Sequence, residues 1–235
     1  MITTCLKIAI VIYLCYTIYY IHRLIQYDNN ATLVTLDQWN QDKLSQEVSH
    51  KNPVCWKVND YKHTFTFQEM NQRIPGYMIQ DTVSPRSLNY LLQSPQFAIT
   101  HRPELIIDFQ LQPSCKSIQD LFQLKLACRP TYDMSLFRGT NYTQLYKQQR
   151  ELCILQVLQG SAVVYMFNPK HEREIKGLPL QSIKKWAIKT TITPEYSVSI
   201  PPEWYYFYET SEDTSVIRIQ SDTAMSVLYN LLREQ

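Results

Sequence analysis

From Met134 to Gln220 the chain is a succession of short apolar runs, most of them closed by proline or glycine, and that rhythm limits the available folds more than any other feature. The runs are "MSLFRG", "ELCILQVLQG", "SAVVYMFNP", "KKWAIKTTITP", "YSVSIPP", "WYYFYE" and "TSVIRIQ". Close, even spacing of this kind predicts an antiparallel sandwich or barrel. Gly139, Gly160, Pro169, Pro194 and Pro201 mark the ends of the runs. Behind a Ser221-Asp222-Thr223 cap, Met225, Leu228, Leu231 and Leu232 share one helical face. This predicts a C-terminal helix over 224–233, packed on the barrel or on a second copy of the chain.

The chain has only four glycines, and no GxGxxG, GxxxxGK[ST] or GxSxG can be assembled from them. The common dinucleotide, P-loop and nucleophile-elbow chemistries are therefore excluded. A net charge of +2 gives no reason to expect nucleic acid or another polyanion as partner.

At the N-terminus, Ile8 to Ile21 ("IAIVIYLCYTIYYI") carries no charge. With Cys5 and Leu6 it reaches about the lower limit of about 17 residues for crossing a bilayer as a helix. No small-x-small cleavage site follows, so an anchor is preferred to a signal peptide. The domain plan is a membrane anchor over 1–24, a polar stalk over 25–56 and a folded domain over 57–235. Lys7 on one side and His22-Arg23 on the other leave the side of the membrane open. Within the stalk, Leu36, Trp39, Leu44 and Val48 suggest an amphipathic helix over 35–48.

Further along, "HTFTFQEM" alternates like a strand, Ser87 to Leu92 reads as a short helix, "ELIIDFQLQ" is strand-like, and "SIQDLFQLKLAC" has helical spacing. Asn30-Ala-Thr32 and Asn141-Tyr-Thr143 are sequons that matter only in a secretory lumen. Cys55, Cys115, Cys128 and Cys153 form either two disulfides or four reduced thiols.

"LCILQVLQGSAVVYMFNP", "TPEYSVSIPPEWYY" and "SLFRGTNYTQLYKQQ", in their positions relative to one another, resemble the JmjC-like cupin family over roughly 134–220. That family is the double-stranded β-helix of Fe(II)- and 2-oxoglutarate-dependent oxygenases. The resemblance implies a mainly β fold with flanking helices, a cupin or jelly-roll barrel behind the N-terminal helix. Active members hold Fe(II) through two histidines and a carboxylate, with 2-oxoglutarate gripped by a lysine. Aligned to that pattern, the HxD positions fall on Lys147 and Gln149, the second histidine on Tyr206 behind Trp204, and the lysine on Ala162. An ammonium, an amide and a neutral phenol are poor substitutes for those ligands. The histidines, His22, His50, His63, His101 and His171, supply no HxD, HxE or HxxxH anywhere.

The expected function is a membrane-anchored, non-catalytic module with no cofactor, binding a ligand, a protein partner or its own copy, with Lys147, Gln149, Ala162, Trp204 and Tyr206 around a degenerate site. The alternative is an active hydroxylase that uses Fe(II) and 2-oxoglutarate at a displaced site. Tyr205, Tyr206 and Tyr208 form either a packed wall or an aromatic-lined pocket. The loop "KHEREIKGLPLQSIKK" reads as a solvated surface loop.

Overall fold

A computed structural model describes residues 2–38, 40–58, 65–80, 85–122, 124 and 127–233. The chain opens with helix α1 (Ile2–Ile25), whose Ile8, Val11, Leu14 and Ile18 face outward with no protein against them. Strand β1 (Val34–Leu36), helix α2 (Gln41–Ser49) and strand β2 (Val54–Lys57) follow. Next come α3 (Phe67–Arg73), the β3 (Met78–Ile79) and β4 (Arg86–Ser87) ribbon, α4 (Leu88–Gln93), β5 (Phe97–Arg102), α5 (Pro103–Asp108) and α6 (Gln112–Asp120).

The strand-rich half holds β6 (Ala127–Arg138), β7 (Asn141–Tyr142), β8 (Tyr146–Lys147), β9 (Leu152–Gln159) and β10 (Ala162–Phe167). Two short helices, α7 (Glu172–Ile175) and α8 (Leu180–Ile183), lead to β11 (Ile188–Ile192), β12 (Tyr196–Ser199), β13 (Tyr205–Thr210) and β14 (Thr214–Thr223). Helix α9 (Ala224–Arg233) closes the chain and packs beside α1.

Two sheets face each other. The larger has the order β1-β2-β12-β9-β14-β6-β5, and the smaller β11-β10-β13-β7, with β8 also paired to β13. All pairings in both are antiparallel except β1 with β2. Between the sheets lie Phe137, Leu155, Val164, Met166, Trp204 and Tyr206. The outer face of the larger sheet is covered by α2 to α6, burying Trp56, Met70, Leu105, Met134 and Ile154. The outer face of the smaller sheet lies under α7 and α8, through Phe167, Ile175, Ile183 and Phe207. β9 is thus buried on both faces, which is why its sequence is apolar on both faces rather than alternating, with Gln156 the polar residue inside the run.

Several local expectations change. The stalk over 25–56 is part of the domain: Leu36, Leu44, Val54 and Trp56 are buried, so β1 and β2 extend the larger sheet and α2 covers it. The helix there is shorter than 35–48, because Asn40 caps it at Lys43 N and Val34–Leu36 pairs as a strand; Trp39 lies outside the described residues. The "HTFTFQEM" stretch ends in a helix, since Thr66 and Glu69 form a reciprocal capping box; His63 and Thr64 are outside the described residues. "ELIIDFQLQ" is also helical at its start, where Pro103 occupies the first turn and Leu105 and Ile106 are buried. The 170–185 segment is an apolar cover, with Ile175 and Ile183 fully buried. The helices at 88–93, behind Ser87, and at 224–233 follow the sequence expectation.

Candidate functional site

Among the described residues, the space between the sheets contains one charged centre, and the strand register builds it. Arg218 on β14 lies directly opposite Asp133 on β6, and both point between the sheets among Phe137, Val216 and Tyr208. Arg218 donates from Nε at 3.0 Å and from an Nη at 2.8 Å to Asp133 Oδ2. The other carboxylate oxygen accepts from His101 Nδ1 at 2.8 Å, so the imidazole proton sits on Nδ1. His101 stands in a register shift of β5 with φ +54°, and its backbone N–H donates to Ser135 Oγ at 3.1 Å. His101 Nε2 is buried with no hydrogen-bond partner among the described residues.

Aromatic and thiol groups close the cluster. The second Nη of Arg218 lies 3.4 Å from the Tyr206 hydroxyl, and Cys153 Sγ lies 3.9 Å from the same oxygen. The Arg218 guanidinium sits over the Tyr146 ring at 5.7 Å, and that ring meets His101 edge-on at 4.7 Å and Tyr206 at 5.5 Å. Gln220 donates to the Gln148 side-chain oxygen at 2.9 Å, and the Gln148 amide donates to Arg150 O at 2.7 Å.

Burial decides the protonation states. It pushes the Tyr206 phenol well above its usual value, with Cys153 adding to the effect, and it pushes the Cys153 thiol up to about 12. Both shifts disfavour the ionised form near neutral pH. Burial works against the Asp133 charge, but the His101 hydrogen bond and the Arg218 charge outweigh it and hold the carboxyl below its ordinary value. Burial likewise opposes the Arg218 charge, and the Asp133 carboxylate hydrogen-bonded to it offsets that cost. The centre is therefore an ion pair with two neutral groups, the Tyr206 phenol and the Cys153 thiol, beside it.

The residues singled out from sequence separate into two groups. Trp204 and Tyr206 are buried between the sheets, Tyr206 at the heart of the cluster. Ala162 also faces the interior, but pairs with Thr210, four residues along β13 from Tyr206. Lys147 pairs with Tyr205 and points to the opposite face, where Nζ lies 2.9 Å from Glu203 and 3.7 Å from Glu172 and 5.2 Å from the Tyr205 ring. Glu172, hydrogen-bonded by Lys176 and Tyr205, is held down at about 2. Gln149 is exposed. The inward residues are their neighbours, Tyr146 and Gln148, because a shift of one position reverses the side-chain direction in a strand.

Sequence reading missed Asp133, Arg218 and His101. The available signal was a lone charge inside an apolar strand run, "YDMSLF" and "VIRIQ", since a charge buried on a strand needs an opposite partner. Among the described residues, no three His, Cys, Asp or Glu side chains are grouped to hold a metal ion. The cysteines are free thiols, and Asn141 Nδ2, the atom a glycan would need, donates to the Phe97 and Arg138 carbonyls at 3.1 and 2.7 Å. The chain matches no known protein-family model, and comparison with curated proteins finds none that matches it.

Proposed function

We propose that this chain is a single-pass, membrane-tethered module on a JmjC-like double-stranded β-helix whose iron site has given way to an ion-paired core, and that it binds or scaffolds rather than catalyses. The observation that carries the reading is the Arg218 guanidinium, clamped between Asp133 and Tyr206 in the space between the sheets. A fixed cation there repels a divalent metal. The nearby side chains Tyr206, Tyr146 and Gln148 offer phenols and an amide where Fe(II) needs imidazole and carboxylate. The residues present do not fit an iron centre.

The strand orders support the barrel reading. Eight positions read β12-β9-β14-β6 in one sheet and β11-β10-β13-β7 in the other, with most connections crossing between sheets. A jelly roll interleaves its two sheets in this way, which supports the reading. Cys5–Arg23, 19 residues of helix without protein around most of it, supports the tether.

The test uses the full chain in two assays. Membranes carrying it are washed with alkaline carbonate, and the detergent-purified protein is incubated with Fe(II), ascorbate and 2-oxoglutarate while succinate is measured. Retention in the pellet and no succinate above a heat-inactivated control are expected. Succinate formation, with or without a second substrate, overturns the non-catalytic reading; release by carbonate overturns the tether.

A further inference from the structure

The C-terminal end of α1 borders a cleft of about 220 Å³ that it shares with α2, Phe122 and Leu124. One wall is apolar, formed by Val48, Phe122, Leu124 and Pro202, and the cations Arg23 and Lys51 stand at its edge. A second, polar hollow of about 470 Å³ shares those two cations and adds His50 and Asp28. The two cations thus mark the junction between an apolar space and a polar one.

We propose that this junction holds an anionic phospholipid of the same bilayer that α1 crosses, its phosphodiester on Arg23 and Lys51, an acyl chain against the apolar wall and its headgroup in the polar hollow. The inference rests on the membrane tether proposed above.

Depth, shape and charge agree on this occupant. The 19-residue span from Cys5 to Arg23 rises about 28 Å at 1.5 Å per residue, so the Arg23 end falls at the headgroup level of a bilayer about 30 Å thick. Tyr20 stands one turn earlier, as interfacial aromatics do. Lys51 Nζ donates to the Arg23 and Gln26 carbonyls, which fixes the ammonium at the negative end of the helix. Burial and then the Arg23 charge pull the Lys51 ammonium down to about 8, against Glu203 and Glu151. Glu151, the carboxylate lining the cleft, is engaged at both oxygens, by the Tyr20 hydroxyl at 2.5 Å and the Thr223 hydroxyl at 2.7 Å. A lipid combines both required chemistries, an apolar chain and a phosphate, in one molecule.

The full chain is reconstituted in nanodiscs of phosphatidylcholine with a minor fraction of phosphatidylserine, released gently, and weighed by native mass spectrometry. The expected result is one phosphatidylserine retained per chain, preferred over phosphatidylcholine by about tenfold, the scale of a charge-assisted contact. Val48→Trp, which fills the apolar wall, and Arg23→Gln, at an exposed position, should each abolish that preference. Equal retention of both lipids, or an unchanged preference in Arg23→Gln with native circular dichroism, overturns the proposal. If Val48→Trp melts early, Arg23→Gln alone decides. Equal retention by a chain that resists carbonate removes only the lipid site; release by carbonate removes the tether and the lipid site together.

Discussion

Arg218 is a cation in a strand buried on both sides, and it stays charged there because Asp133 faces it across β6 and β14. Removing one member of such a pair strands the other without compensation, which costs about 3–5 kcal/mol. Arg218→Ala should therefore lower unfolding free energy by about that much in urea titrations of the detergent-solubilised chain. The double change Asp133→Leu with Arg218→Met should recover most of the loss, because it removes the uncompensated charge along with the pair. Acid acts through the same residues. Asp133 and Glu172 have folded values below their unfolded ones, Glu172 at about 2, so their stabilisation is fully present above the ordinary carboxylate range of about 4. It is lost as pH falls from there through the folded values. Burial raises Asp222, whose protonation works in the opposite sense and blunts the fall. Melting temperature should hold between pH 5 and 7 and drop below about pH 4; a midpoint flat down to about pH 2 would contradict the depressed carboxylates. At this scale the sequence revealed Trp204 and Tyr206 but not Lys147's direction: a turn without regular pairing between Tyr142 and Tyr146 leaves the inward face of β8 undetermined until β13 is placed beside it.

The elements were legible in proportion to how local their causes are. The 88–93 helix behind its Ser87 cap, α9 and the strand runs after Met134 are written in spacing and caps. α3 and α5 read as strands by alternation, and were decided instead by the Thr66–Glu69 box and by Pro103 at a first helical turn. β1 and β2 were hidden because three- and four-residue strands gain their stability from the sheet they join rather than from their own pattern. The β9–β10 turn gives a sharp test of element geometry. Gly160 has φ +75°, and a Cβ there would lie 2.4 Å from the Asp213 carbonyl oxygen and 2.7 Å from Thr214 Oγ1. Gly177, at φ +77°, has nothing within 4 Å of a Cβ. Gly177→Ala should cost only about 1 kcal/mol, for backbone conformation. Gly160→Ala adds a collision with backbone and should cost about 3 kcal/mol or more. Equal thermal shifts for the two variants would contradict the close approach of the β13–β14 turn to Gly160.

The whole molecule is a layered domain in which each sheet face is covered. Helices lie over one sheet, short helices over the other, and the sandwich interior carries the Asp133–Arg218 pair. Beside it stand α1 and α9 in contact, with the Tyr20 hydroxyl tied to Glu151 and to Thr223 at the start of α9. The N-terminal helix is thus fastened to the domain rather than hung from a loose stalk. The layering could be anticipated from the runs after Met134; the lone charges at Asp133 and Arg218 were visible too, but their pairing depends on which residue each strand brings opposite. The ion-paired interior is tested most directly by one measurement: iron content of the 235-residue chain after anaerobic equilibration with Fe(II) and 2-oxoglutarate and removal of free metal. The guanidinium-filled interior predicts no stoichiometric iron. About one iron per chain would contradict it.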